Sequence, residues 1–170
     1  MKERKLNNIA ISKDEIIKNL EFLSNKSDDL LQEQLKSYNS AITKASIVMP
    51  LSSLILPYAI TILTDGQIIN TIRCLTVTPF ILIIVGLYFL VKVLIPKGLD
   101  HGFNFDQFDK QINQNYKDLL LYKIGSMKDS YNSNNNIVDR QNLYFKAGLL
   151  CVFIGTLLIS LLTIINFNLI

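Results

Sequence analysis

Tryptophan is missing from this chain of 170 residues, histidine occurs once, and there are only two cysteines and four prolines. Each shortage excludes a kind of chemistry. A single histidine with scattered aspartates has no recognised metal-ligand spacing, so His101, with Asp100, Asp106 and Asp109 nearby, reads as part of a linker or a helix cap. No metal and no cofactor is expected. The chain also lacks a glycine-rich phosphate loop, a Gly-x-Ser-x-Gly elbow and a Cys/His pair, so nothing in it carries catalysis and it is not read as an enzyme. A charge excess is missing too: residues 1–45 hold eight bases against seven acids, and residues 96–146 hold seven against six. Binding to bulk nucleic acid, which needs a basic stripe, is therefore not expected. Within the first 45 residues no short apolar stretch precedes a small-residue cleavage site, so no cleavable signal peptide is predicted.

What is abundant is apolar chain, 49% of the residues, and it comes in blocks rather than at helical or strand spacing. Ser46 to Leu63 and Cys74 to Val91 are uncharged runs of 18 residues, and Ala147 to Ile170 is one of 24. Each can cross a hydrocarbon core, which takes roughly 20 residues of helix. Pro50, Pro57 and Pro79 do not argue against this, because neighbouring helices and hydroxyls can satisfy the carbonyls they free. Lysine and arginine then set the orientation. The segments 1–45 and 96–146 carry nearly all of them, the 64–73 connection has only Arg73, and the tail after Thr163 has none. The N-terminus and the middle segment are predicted to be cytoplasmic and the C-terminus outside. Lys92, near the inner end of the second span, reads as a snorkelling side chain. Cys74 and Cys151 fall on opposite sides of the bilayer, too far apart for an intrachain disulfide, and Cys151 reads as a packing residue.

Helix signals connect the spans. Ser12-Lys-Asp-Glu15 fits a capping box, and Ser27-Asp28-Asp29 repeats the start signal. Leu31, Leu35, Tyr38 and Ile42 then share a stripe that runs into the first span, which predicts one helix over residues 27–63. Thr64-Asp65-Gly66 predicts a turn, and Pro96-Lys97-Gly98 ends the second span before an irregular linker. From about Asp106, alternating three- and four-residue steps pick out Phe108, Ile112, Tyr116, Leu120, Ile124, Met127, Tyr131, Asn134, Val138, Gln141 and Phe145. That heptad-like seam predicts a second long helix, roughly 106–168. The expected divisions are cytoplasmic helices in 1–45, a membrane hairpin in 46–95, a cytoplasmic linker and seam helix in 96–146, and a last span in 147–170.

Four groups of residues are candidates for function. In the first span Ser46, Pro50, Ser53, Pro57, Thr61 and Thr64 fall on one face, the first five as candidate pore-lining residues, while Ile47, Leu51, Leu54, Ile55, Tyr58 and Ile62 cover the other, which lipid should see. A stripe of hydroxyls and prolines either packs on another helix or lines water in a pore. In the last span Ala147, Cys151 and Gly155 make a small-xxx-small ridge for a neighbouring helix. Asn134 and Gln141 sit at seam positions, where buried amides fix register and oligomer state. Lys44, Lys117, Lys123, Arg140 and Lys146 lie near the membrane side or along the same helices, where a short anionic ligand could meet two or three of them, though most such charges are solvated or serve as topology anchors.

The segment Thr43-Lys44-Ala45-Ser46-Ile47 resembles the opening of the first span in membrane effectors of bacterial nucleotide-signalled antiphage systems, the Pycsar transmembrane effectors in particular. The stretch Tyr131 to Arg140, rich in asparagine and followed by Lys146, resembles a second element of those proteins. The Hailong channel effector is similar in kind. The resemblance implies a sensor for a nucleotide or short oligonucleotide whose occupancy controls membrane integrity. It adds Asn134 to Lys44, Arg140 and Lys146 as ligand-binding residues.

The chain is therefore expected to be an all-α integral membrane protein of the bacterial inner membrane, with three transmembrane helices and long cytoplasmic helical extensions. Three spans are too few to enclose a pore, so a homo-oligomer in membrane lipid, with a tetramer favoured, is the expected assembly. The rival expectation is a membrane-anchored scaffold whose cytoplasmic coiled coil recruits a soluble partner.

Overall fold

The computed structural model describes residues 12–64, 70–103 and 107–169. These form five helices and, among the described residues, no strand: α1 is Lys13–Ser53, α2 Ile55–Thr64, α3 Asn70–Leu94, α4 Phe108–Ile112 and α5 Tyr116–Leu169. Three helical stretches, Lys13–Thr64, Cys74–Leu94 and Tyr116–Ile165, are long and apolar enough to cross a membrane. The all-α, three-span class expected from the hydropathy blocks is thus the observed one. The turn expected at Asp65-Gly66, the helix start expected at Asp106 and the side chain of Phe108 lie outside the described residues.

The helix boundaries follow local chemistry. Ser12 caps α1, its Oγ accepting from the Glu15 N–H at 3.1 Å. The second start expected at Ser27 is not one. There the Ser27 hydroxyl donates to the carbonyl of Ser24 at 2.8 Å, inside a helix that runs on unbroken. The break falls later, at Leu54, because Pro57 has no N–H for the carbonyl of Ser53 and its ring crowds that carbonyl. The single helix expected over 27–63 is therefore α1 and α2. Similarly, the long helix expected from 106 is divided into α4 and α5. Asn115 starts α5 by accepting from the Asp118 N–H at 3.0 Å, while its Nδ2 donates to the Asp118 carboxylate at 2.7 Å. The spacing Asn-x-x-Asp was the available signal.

Contacts divide the chain into two compact units. The polar unit comprises α1 up to Gln34 and residues 99–134. In it α1 and α5 run parallel: the Tyr116 hydroxyl donates to Glu21 at 2.7 Å, Lys123 pairs with Asp28, and Gln34 Nε2 donates to the Tyr131 carbonyl at 3.1 Å. Leu31 and Leu120 are buried. Gly102, at a φ of 83°, takes a conformation closed to most residues, and a Cβ there would stand 3.1 Å from Leu31 and 3.2 Å from Met127.

The apolar unit comprises residues 35–98 and the rest of α5 from Asn135. Asn142 donates to Ser37 at 3.3 Å and Tyr58 to Thr163 at 3.0 Å, so the first span again runs parallel to α5, with both pairs 105 positions apart in sequence. Between them, α3 runs the other way. Two apolar clusters hold the three helices: Ala41, Ala45, Leu90, Val93 and Val152 form one, and Ala59, Ile62, Ile83 and Ile159 the other. Ile62 was expected to face lipid. It is buried instead, because the helix restarts after Leu54 and the stripe does not carry across the break.

Glycine sets the approach of α3 to α5. A Cβ on Gly86 would lie 2.9 Å from the Gly148 carbonyl, and one on Gly148 would lie 3.0 Å from the Gly86 carbonyl. Seven residues further along α5, a Cβ on Gly155 would meet the Pro79 carbonyl at 3.0 Å. Seven residues back, Gln141 Nε2 donates to the Val93 carbonyl at 3.1 Å. One heptad position of α5 therefore meets a main-chain oxygen at each step, by an amide at Gln141 and by missing side chains at Gly148 and Gly155. The ridge expected at Ala147, Cys151 and Gly155 is corrected accordingly. Gly148 and Gly155 are buried on it, while Ala147 and Cys151 are half-buried beside it.

Candidate functional site

The hydroxyl and proline stripe of the first span lies on the chain's own surface. Ser46, Pro50, Ser53, Pro57 and Thr61 are all exposed, and the buried face instead carries Ala45, Ser52, Ala59 and Ile62. Each stripe hydroxyl bonds back to its own helix: Ser46 donates to the Thr43 carbonyl at 2.8 Å, Ser53 to the Pro50 carbonyl at 2.7 Å and Thr61 to the Pro57 carbonyl at 3.0 Å. Such bonds satisfy a hydroxyl without another helix and let it stand in an apolar setting. The stripe is polar enough for water, and among the described residues of the apolar unit its hydroxyls bond only to their own helix.

Lys44, Arg140 and Lys146 are exposed and belong to the same unit. The 105-residue register sets Lys44 level with Leu149, so Lys44 and Lys146 differ in height by about 4.5 Å, less than one helical turn. By the same spacing Arg140 stands level with Leu35, about 13 Å from Lys44 along the axis. Lys97 lies over the Tyr144 ring, 5.7 Å from its centroid, and adds a fourth cation to this end of the unit.

The two seam amides find partners inside the chain. Asn134, 1% exposed, accepts from the Asp100 N–H at 2.9 Å through Oδ1 and donates to the Asp100 carbonyl at 2.7 Å through Nδ2. Both of its polar atoms are thus taken by the main chain of one residue of the linker after α3. The same linker is tied by the Asp100 carboxylate, which accepts from the Gly102 N–H at 3.1 Å, and by Ser126, which donates to the Gly102 carbonyl. In the apolar unit Tyr38 holds the Lys97 peptide in like fashion, accepting from its N–H at 3.0 Å. Gln141, also 1% exposed, uses Nε2 on Val93 and leaves Oε1 without a partner.

A further feature of the polar unit escaped the reading of the sequence. A groove of about 230 Å³ opens between α1 and α5, walled by Leu23, Leu30, Ile124 and Met127 and closed at one end by Tyr131. Lys26 and Lys128 stand on its rim, and neither has an acidic partner among the described residues. The signal was there: Leu23, Ser27, Leu30 and Gln34 recur at four- and three-residue steps, the spacing of the seam on α5. A second, more polar hollow of about 370 Å³ has Asp100 and Asp129 in its wall, and two carboxylates there disfavour an anion. Near the start of α5, the hydrogen bond from Tyr116 to Glu21, reinforced by its partial burial and the carboxylate's charge, holds the phenol above its ordinary pKa.

A family model described as the Pycsar effector protein domain matches residues 26–167. No curated protein and no solved structure matches the chain.

Proposed function

From the premise that this chain belongs to the Pycsar effector protein domain family, we propose that it is a homo-oligomeric, nucleotide-controlled channel or pore that compromises the bacterial inner membrane. Its membership makes it a transmembrane effector of cyclic-nucleotide antiphage defence, a kind of effector that acts without catalysis. The observation that carries the finer reading is the exposed stripe of Ser46, Pro50, Ser53, Pro57 and Thr61. A lipid-facing surface gains nothing from hydroxyls, whereas a ring of about four copies can turn that stripe toward water. The N-terminus and residues 96–146 lie in the cytoplasm in this reading, which places Lys44, Arg140 and Lys146 around the inner mouth. An anion bound there by charge-assisted hydrogen bonds biases the first span between two arrangements.

The test is ion flux from liposomes holding the purified full-length protein. A cyclic nucleotide should switch the flux, and Ser53→Leu or Thr61→Leu should reduce it without changing insertion. Silence under every nucleotide would overturn the channel. Arg140→Ala and Lys44→Ala should weaken the response by about 1.5 to 3 kcal/mol of ligand binding if those cations meet the signal. The rival, a scaffold that recruits a soluble partner, draws support from Phe22 and Ile112, which are 69% and 62% exposed in the polar unit. It predicts silent liposomes and loss of function when those two residues are made polar.

A further inference from the structure

We propose that the groove between α1 and α5 in the polar unit is the seat of the signal: an anionic mononucleotide lays its base between Leu30, Met127 and Tyr131 and its phosphate between Lys26 and Lys128. The inference rests on the nucleotide-controlled reading above and moves the ligand away from the span ends to a different pair of cations. Three observations carry it. At about 230 Å³ the groove suits a flat ring and little more, below the size of most ligand pockets, and its walls are almost wholly apolar. Its only charged lining residues are Lys26 and Lys128, and among the described residues no acid pairs with either. A bare apolar groove would suit a hydrophobic peptide, but the two free ammonium groups favour an occupant with negative charge.

The third observation is Tyr131, an exposed aromatic side chain that lines the groove together with Met127. Tyr131 supplies the flat face on which a base stacks, and Met127 adds a polarisable contact. Ligand in this groove would bridge α1 and α5 directly, which is where a sensor must act if it is to alter how the two parallel helices sit against each other.

The experiment measures binding of a panel of cyclic mononucleotides to the full-length protein in detergent, with inorganic phosphate as competitor. One nucleotide should bind. Lys26→Ala and Lys128→Ala should each weaken it about tenfold or more, and Lys26→Arg should retain it. Tyr131→Ala should cost about tenfold, while Tyr131→Phe keeps the stacking face and the affinity. These side chains are exposed, so the variants should fold as the parent does. If the groove variants bind like the parent while Lys44→Ala and Arg140→Ala lose affinity, the groove is overturned and the nucleotide-controlled effector stands. If inorganic phosphate competes as well as the nucleotide, the lysines hold only the anion and the base seat is wrong. If the parent binds no cyclic mononucleotide, both the seat and the signal assigned to this effector fall.

Discussion

The two units of this chain share α5 and hold it by opposite means, against α1 in the polar unit and against α3 in the apolar one. In the polar unit α1 and α5 are joined by side chains that reach for specific groups: Tyr116 for Glu21, Lys123 for Asp28, Gln34 for the Tyr131 carbonyl. In the apolar unit the decisive contacts are made where side chains are missing, at Gly86, Gly148 and Gly155. The difference reflects the surroundings. Where water competes, a contact needs direction to be selective, and its net worth stays small. Where lipid tails are as apolar as any helix, close approach of backbones is what association gains from.

The largest expected effect tests the glycine contact. Gly86→Leu should cost about 3 kcal/mol, because its Cβ alone would stand 2.7 Å from a Val152 methyl and 2.9 Å from the Gly148 carbonyl. Gly125→Ala, in a stretch of α5 with nothing within 4 Å of the new Cβ, should instead stabilise by up to about 1 kcal/mol. Thermal unfolding in detergent separates the two, and an equal loss in both would mean that α3 and α5 do not meet as described.

The next contrast sets one seam amide against the other. Asn134→Leu strands the N–H and carbonyl of Asp100 and should cost about 2 kcal/mol or more, with faster hydrogen exchange at Asp100. Gln141→Leu loses one bond and removes an orphan oxygen, so about 1 kcal/mol or less is expected. Oligomer size should change with neither. A shift in size with Asn134→Leu would return that amide to an intersubunit seam.

Smaller still is the ion pair. Lys123 and Asp28 are 39% and 37% exposed, so Asp28→Asn should cost about 0.5 kcal/mol and nothing at high salt. The smallest effect is the Tyr116 contact, which favours the protonated phenol. Its contribution is present below the ordinary tyrosine pKa of about 10 and is lost as pH rises through the higher folded-state value. Tyrosinate absorbance, compared between the parent and Tyr116→Phe, should show this residue titrating late, and Glu21→Gln should bring it back toward the ordinary range. A late titration that survives Glu21→Gln would remove the carboxylate as its cause.

Much of the architecture was legible in local runs. The three spans, the Ser12 cap and the end of α3 before Pro96 all followed from neighbours in sequence. Asn134 and Gln141 were found at the correct heptad positions, and both are buried. Their partners were not found, since an amide at a seam position can serve a second copy or a passing linker equally well. The break at Leu54 was missed because proline in a membrane helix is sometimes absorbed, and only the geometry at Ser53 decides whether it is. The groove was missed for a different reason: Lys26 and Lys128 are far apart in sequence and become neighbours of one hollow only when α1 and α5 align.

The sequence by itself determined that this protein lives in a membrane and is helical, because transfer of an apolar block from water to lipid is a sum over the residues in that block. Tertiary structure alone decided that Gly148 stands opposite Gly86, that Asn134 holds the main chain of Asp100 and that two lysines share a groove. Those facts depend on the register between helices distant in the chain, and register is fixed by which side chains, or which missing ones, let two backbones close the gap between them.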